Sequence, residues 1–410
     1  MRKERRVVVV GMGLRSPVGH TPDELKVSLQ TNRSGVKKMP EWDMIKNMRG
    51  KVAGVCEGID EKVIPHKYRR TMGRVAVLAA LAVQDAIADS GLEEQVIASP
   101  ECGISFGSTA GSSSAQEEYL RHIFSTHSLQ GLQSSTYLKF MSHTCAANLG
   151  MMFQSKGPLI ASCTACTSGS QGIGFGFDAI REGRASVMLC GGAEEMHFMD
   201  GLVFEVMRAT STKFNDRPDR TPRPFDADRD GLVVGEGGGC LVLEEYERAK
   251  KRGAKIYAEI LGWGSNCDGS HITNPSPEGI VRVLELALAD AELGPDKIQH
   301  INAHATATET GDLAESHATN KVLGPDVPIS ALKGYMGHTL GACGAIESIA
   351  SILMMNHGFM APTRNLEKPD PECAPLNHVL GDPRRADLSI VMNNNFAFGG
   401  VNTSIIFGRV

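Results

Sequence analysis

Several devices are missing from this 410-residue chain, and each absence closes off a class of function. No long apolar run opens it. The basic start Met1-Arg2-Lys3-Glu4-Arg5-Arg6 is followed only by Val7 to Val10 before Gly11. That stretch is too short for a signal-peptide core or a bilayer span. Positive charge is not in excess: 42 Lys and Arg stand against 47 Asp and Glu, for a net charge of −5. A general nucleic-acid binder is therefore not expected. Ten cysteines in this length are too few for a disulfide scaffold. Without export they are expected to be reduced, in a cytoplasmic protein. Cys163 and Cys166 form one C-x-x-C, with no second such pair to complete a zinc site, so no metal is expected. A redox dithiol is the other reading of that pair.

Two glycine clusters lack what nucleotide sites require. Gly11-Met12-Gly13 follows an apolar run, but Ser16 stands where a dinucleotide fingerprint has its third glycine. No acidic residue closes a second strand about 20 residues on, where the chain reads Gln30-Thr31-Asn32-Arg33. Gly235-Glu236-Gly237-Gly238-Gly239 is not followed by the Lys-Ser/Thr of a P-loop. It reads instead as a strand kink or a close backbone contact.

What is present centres on Cys163-Thr164-Ala165-Cys166-Thr167-Ser168, which opens a segment of small residues running to about Gly183. Gly169, Ser170, Gly172, Gly174 and Gly176 are poor helix formers. A helix built from them is expected to be buried and packed close to other backbone. A cysteine in its first turn faces unpaired N–H groups and the positive end of the helix dipole. Both favour the thiolate, which is the nucleophile. The plainer reading is an inert core cysteine.

Two distant histidines shift that balance. His304 lies in Asn302-Ala303-His304-Ala305-Thr306, and His338 lies in Lys333-Gly334-Tyr335-Met336-Gly337-His338. A cysteine with histidines elsewhere in the chain is a candidate catalytic set. Each histidine taken alone is better explained by structural hydrogen bonding.

The pattern of elements repeats. The first half reads as a strand from Val7, a helix over Arg74–Ser90 closed by Gly91, a strand at Cys102–Gly107, the Cys166 helix, and a strand from Ser186. The second reads as a strand from Ile256, a helix over Glu278–Leu293 closed by Gly294, a strand at Lys297–Ala303, a helix from about His338 to Met355, and a strand at Leu388–Asn393. Periodicity alone gives two α/β halves, placed at residues 1–255 and 256–410.

In order along the chain, Thr164-Ala165-Cys166, Asn302-Ala303-His304-Ala305-Thr306, Lys333 with Gly337-His338, and Asn395-Phe396-Ala397-Phe398-Gly399-Gly400 make a specific set. The chain thereby resembles the β-ketoacyl-acyl carrier protein synthases, the condensing enzymes of fatty-acid and polyketide assembly. The likeness extends to Ser211-Thr212-Lys213-Phe214-Asn215-Asp216 and Phe225-Asp226-Ala227-Asp228. The resemblance implies a thiolase-like duplicated α/β fold with five layers, α/β/α/β/α, in which two sheets enclose shared central helices. It implies a decarboxylative Claisen condensation of an acyl thioester with malonyl-acyl carrier protein. No cofactor is implied beyond the carrier's own phosphopantetheine. The implied partners are acyl carrier protein and a second subunit, either a copy of the chain or a related synthase-like protein.

Roles follow by resemblance, position by position. Cys166 takes the acyl group, with its own N–H and that of Phe398 as the oxyanion hole. His304 and His338 stabilise the enolate. Lys333 supports them, and Glu347 joins the same network beside the substrate. Thr306 and Thr308 hydrogen-bond the pantetheine arm, and Phe396 with Phe398 gates the acyl pocket. Core packing is the other reading of Phe396. The basic set Lys62, Lys67, Arg69 and Arg70 is a candidate carrier-docking surface, or else an ordinary solvated face. Ala305 and Glu309 replace the usual glycine and proline, and Met336 replaces a small hydroxyl residue. These departures suggest a specialised pathway, with the aryl polyene condensing enzymes as the subgroup. A thiolase would need a second cysteine near Asn393-Asn394-Asn395, where there is none. A non-catalytic chain-length-factor subunit would usually lack Cys166.

Overall fold

The computed structural model describes residues 5–410. Residues 1–4 of the basic start lie outside the described residues. Eleven strands form one mixed sheet: β1 (Val7–Arg15), β2 (Cys102–Gly107), β3 (Leu159–Ile160), β4 (Val187–Glu194), β5 (Gly237–Glu245), β6 (Ala258–Cys267), β7 (His300–Ala303), β8 (Pro328–Ala331), β9 (Asn377–His378), β10 (Ile390–Phe396) and β11 (Val401–Gly408). Their spatial order is β9-β8-β7-β10-β11-β6-β1-β5-β4-β2-β3.

Counted outward from the β1–β6 junction, the order is β1-β5-β4-β2-β3 on one side and β6-β11-β10-β7-β8 on the other. The two runs correspond strand for strand in chain order. Their pairing also corresponds: antiparallel, antiparallel, parallel, parallel. The repeat read in the sequence is thus present in the topology. The two runs form the two expected sheet layers, and they meet along one edge. Val7, Val8 and Val9 pair antiparallel with Ile260, Glu259 and Ala258, and this short ladder joins the halves into one sheet. Pairing these edges satisfies backbone groups that a separate sheet would leave open.

Five helices place the layers. They are α1 (Arg74–Ser90), α2 (Ser168–Arg181), α3 (Pro277–Asp290), α4 (Glu309–Leu323) and α5 (Cys343–His357). α1 covers the outer face of β1, β5 and β4, and α3 that of β6 and β11. Helices α2 and α5 each touch strands from both halves and touch each other, so they form the middle layer. The α1 bounds match the sequence reading, and Gly91 adopts the left-handed cap, φ 62°. α3 stops earlier than expected. The left-handed turn falls at Glu292, φ 52°, rather than at Gly294.

The small residues of α2 allow this middle layer. A Cβ on Gly169 would sit 2.8 Å from the Gly341 carbonyl oxygen, and one on Gly344 would sit 2.6 Å from the Ser170 nitrogen. Helices this close cannot carry side chains at the crossing. The two glycine clusters also serve packing. Gly11 and Gly13 lie inside β1, with the backbone of α1 directly above them. Gly237, Gly238 and Gly239 lie inside β5, between α1 and α5. Among the described residues no helix is long and apolar enough to cross a membrane.

Candidate active site

The middle helices are entered through matching turns. A short 3-10 turn, Ala165–Thr167, precedes α2, and another, Leu340–Ala342, precedes α5. Each carries a non-glycine residue in the left-handed region at its first position, Ala165 at φ 49° and Leu340 at φ 47°. Such a conformation is costly and persists only where surrounding contacts impose it. The turn correspondence sets Cys166 against Gly341. Cys166 is thus in the turn ahead of α2, not in its first α-helical turn as the sequence suggested.

His338 arrives from the other half of the chain, two residues past the end of the short helix Lys333–Met336. Its Nε2 lies 2.9 Å from Cys166 Sγ. The His304 ring stands edge-on to that of His338, centroids 5.1 Å apart. Phe396 meets the His304 ring at 5.8 Å. His304 sits just past β7, and its amide is fixed: His304 N donates to Glu315 Oε1 at 2.8 Å and Ala305 N to Glu315 Oε2 at 2.6 Å. Burial pushes the Glu315 carboxyl up to about 8.

The electrostatics differ from the sequence expectation. Burial pushes the Cys166 thiol up to about 12, and nearby Lys333 offsets only part of this. The helix dipole does not win here, because the thiol is fully buried and desolvation penalises the thiolate. Burial also holds His304 and His338 well below the usual imidazole value, reinforced by the Lys333 charge. Both rings are neutral near pH 7, so each offers one N–H donor and one acceptor nitrogen.

Lys333 and Glu347 form a buried ion pair, Nζ to Oε1 at 2.6 Å, with both residues almost wholly inaccessible. Burial works against the ammonium, but Glu347 outweighs it and Lys333 is held protonated. Glu347 does not line the substrate cavity. Its second oxygen accepts from Asn395 Nδ2 at 2.7 Å. Its place is therefore behind the histidines rather than against substrate.

A cavity of about 700 Å³ is lined by Cys166, His304 and His338 together with Thr306, Thr308, Phe396 and Phe398. The two threonine hydroxyls lie 2.9 Å apart. Phe398 packs on Phe204 at 5.6 Å between centroids. Gly399 N donates to Ile272 O at 2.8 Å, tying the Phe398 turn to the 268–276 loop. Ala305 and Glu309 also face the cavity. Met336 does not; it lies in the central core cluster.

Lys62, Lys67, Arg69 and Arg70 are not in the cavity wall. Lys67 lies over the Tyr68 ring at 4.6 Å, and Arg69 Nη1 donates to the Glu61 carbonyl at 3.2 Å. The exposed basic side chains at the cavity are Arg208 and Lys213 instead. The sequence reading passed over both, although Lys213 falls inside a quoted motif. Cys163 is exposed, and its Sγ donates to the Thr109 carbonyl at 3.2 Å. All ten cysteines are unpaired.

Cys166, His304 and His338 bring three soft or borderline donors within 4.8 Å of one another, a set that zinc accepts elsewhere. The Lys333 ammonium close to all three opposes a cation there, and neither imidazole Nδ1 has a partner to orient it.

Comparison with known proteins adds to this geometry. Residues 4–249 match the family model "Beta-ketoacyl synthase, N-terminal domain", and residues 257–367 match "Beta-ketoacyl synthase, C-terminal domain". The chain is 36% identical over 406 residues to 3-oxoacyl-acyl-carrier-protein synthase 1 of Haemophilus influenzae, covering 99% of each chain. It is 37% identical over 424 residues to 3-oxoacyl-acyl-carrier-protein synthase 2 of Vibrio cholerae, covering 99% of this chain and all of that one. A beta-ketoacyl synthase structure from Burkholderia phymatum superimposes with a TM-score of 0.96 at 45% identity, covering 99% and 100% of the two chains. A type II PKS acyl-carrier protein in complex with its ketosynthase bound to the hexaketide superimposes with a TM-score of 0.90 at 29% identity, over 99% and 100%.

Proposed function

The chain belongs to the beta-ketoacyl synthase family, and from that premise we propose how its own residues divide the work of condensation. The enzyme catalyses Claisen condensation in fatty-acid or polyketide synthesis. The observation that carries the site assignment is the 2.9 Å contact between Cys166 Sγ and His338 Nε2, with His304 beside it, in the cavity wall.

In this reading Cys166 attacks an acyl thioester on acyl carrier protein. Its proton moves to His338 Nε2 and then to the departing carrier thiol. Transfer to a contacting base is needed because a thiol raised to about 12 supplies almost no free thiolate at neutral pH. The oxyanion is held by the amides of Cys166 and Phe398. Malonyl carrier protein enters next and loses CO2. The enolate oxygen takes hydrogen bonds from the neutral rings of His304 and His338; for His338 the single ring proton sits on Nε2 at this stage, rather than on Nδ1 as during loading. The enolate carbon attacks the Cys166 thioester and expels the Cys166 thiolate, which takes up one proton from solvent through His338 to replace the one that left with the first carrier thiol. Atoms and charge balance without a metal or redox cofactor, so none is part of the reading. Thr306 and Thr308 hold the pantetheine arm, and the Phe396 and Phe398 turn gates the acyl end. The units 1–255 and 256–410, a homodimer or a pair with a related subunit, and a cytoplasmic location complete the proposal.

The test is a split assay on Cys166→Ala, His304→Ala and His338→Ala. Acyl loading is followed by intact mass and decarboxylation by CO2 release. Cys166→Ala must abolish loading, and His304→Ala must abolish CO2 release while sparing loading. A Cys166→Ala protein that still carries acyl groups overturns the assignment.

A finer reading concerns pathway. Ala305 and Glu309 depart from the family pattern and both face the cavity. We therefore also propose a specialised substrate, of the unsaturated kind used in polyene assembly. Met336 no longer contributes to that argument.

A further inference from the structure

The turn that carries Cys166 is tethered from behind by a residue outside every motif described above. Cys343 opens α5, 177 positions from Cys166, and its Sγ lies 3.2 Å from the Cys166 carbonyl oxygen. Asn395 Nδ2 lies 3.5 Å from the same sulfur and 2.7 Å from Glu347 Oε2. Glu347 Oε1 in turn accepts from Lys333 Nζ at 2.6 Å. All five residues are buried.

The direction of each bond in this chain follows from one fixed end. A carboxylate paired with an ammonium only accepts, so the Asn395 amide must present its nitrogen to Glu347. Asn393 Nδ2, 3.2 Å from Asn395 Oδ1, agrees with that orientation. The second Asn395 N–H then points to sulfur. The Cys343 sulfur accepts it and has its own proton left for the Cys166 carbonyl, which only accepts. Burial, with Glu347 adding to it, pushes the Cys343 thiol well above its ordinary value, so it remains a donor and does not compete as a nucleophile.

The turn has reason to need such a hold. It contains Ala165 in the left-handed region, and strained backbone relaxes unless its surroundings prevent it. We propose that Cys343 and Asn395 are positioning residues, transmitting the fixed orientation of the Lys333–Glu347 pair to the Cys166 backbone and so holding its Sγ against His338. The inference rests on Cys166 being the nucleophile.

The experiment compares wild type with Cys343→Ala, Cys343→Ser, Asn395→Ala and the Cys343→Ala/Asn395→Ala double variant. Steady-state condensation and the single-turnover rate of acyl loading on Cys166 are measured, with melting temperatures as the folding check. Cys343→Ala should lower kcat and the loading rate about fivefold, as expected for one modest hydrogen bond, with KM for the carrier substrate unchanged. Cys343→Ser keeps a donor at nearly the same place and should recover most of the rate. The double variant should be little slower than the slower single one, because both act through one path. Wild-type kcat and loading in Cys343→Ala would overturn the proposal. So would a serine variant no faster than the alanine variant at equal melting temperature. Acylation of a Cys166→Ala control would instead overturn the reading of the nucleophile on which the tether rests.

Discussion

His338 Nε2 stands 2.9 Å from Cys166 Sγ across 172 residues of chain. The contact exists because two halves of a repeated fold bring the turns before α2 and α5 to one point. It also pairs a thiol raised to about 12 with an imidazole held neutral. Neither group is charged at rest, so reactivity depends on moving one proton between them.

The first consequence concerns the two neighbouring cysteines. Cys163 is exposed and bonded to the Thr109 carbonyl, while Cys166 faces both histidines. Cys166→Ala should abolish acyl transfer, and Cys163→Ser should keep most of it. Intact-mass measurement of acylated protein decides the assignment.

The second concerns how Cys166 titrates. An ordinary exposed thiol reaches its full alkylation rate about one unit above its pKa of roughly 8.5. Burial places Cys166 near 12. Its alkylation by iodoacetamide should therefore keep rising through pH 10 with no plateau near 9. A plateau near 9 would mean that the cavity admits enough water to relieve the desolvation.

Much of this was readable in advance, and the reasons for the remainder are physical. The Cys166, His304 and His338 motifs are local, and so are the helix over Arg74–Ser90 and the repeat of elements. What escaped depends on distance. Glu315 is tied to the His304 and Ala305 amides, and Cys343 to the Cys166 carbonyl, by contacts that no spacing rule encodes. The thiolate expectation failed because a helix-end effect of about 0.3–1 kcal/mol is smaller than the cost of burying the charge. The joining of the two sheet layers by three residue pairs between Val7–Val9 and Ala258–Ile260 is likewise a long-range contact with no local signal.

A third prediction tests the buried ion pair. Lys333→Met leaves the buried Glu347 carboxylate with amide partners but no counter-charge, which should cost about 3–5 kcal/mol. The Lys333→Met/Glu347→Leu double variant removes both charges and should be more stable than Lys333→Met alone. Denaturant unfolding of the two variants measures the difference. Equal stability would mean that water reaches the lone carboxylate.

A fourth concerns pH and stability. Glu194 is buried, and its Oε2 accepts from Thr109 N at 2.9 Å and Gly341 N at 3.0 Å. Burial first, and Asp200 second, raise its carboxyl to about 8. A carboxyl raised on folding binds its proton more tightly folded than unfolded. Its contribution to stability is full below the unfolded value of about 4.3 and is lost as pH rises through 8. The melting temperature should fall between about pH 5 and pH 8 in wild type. Glu194→Gln keeps a carbonyl acceptor for both amides and does not titrate, so its fall should be shallower.

The last prediction weighs two candidate docking surfaces and the nature of the cargo. Acidic carrier proteins are steered by basic rims in a salt-dependent way. The sequence pointed to Lys62, Lys67, Arg69 and Arg70, while the cavity itself presents Arg208 and Lys213. Reversing Lys67, Arg69 and Arg70 to glutamate in one variant, and Arg208 and Lys213 in another, should raise KM for acyl carrier protein several-fold in whichever surface docks. Turnover on a small free thioester should be unchanged in the first variant, whose residues lie outside the cavity wall. Added salt should bring wild type and the docking-impaired variant together. With the carrier held constant, a primer series of equal length but rising unsaturation then tests the pocket. Ala305 and Glu309 face the cavity, so wild type should favour the unsaturated primers in kcat/KM. Ala305→Gly with Glu309→Pro, which restores the common family pattern, should reduce that preference. Saturated primers favoured throughout by wild type would remove the specialised reading and leave ordinary fatty-acid elongation, with the Cys166 and histidine assignments untouched.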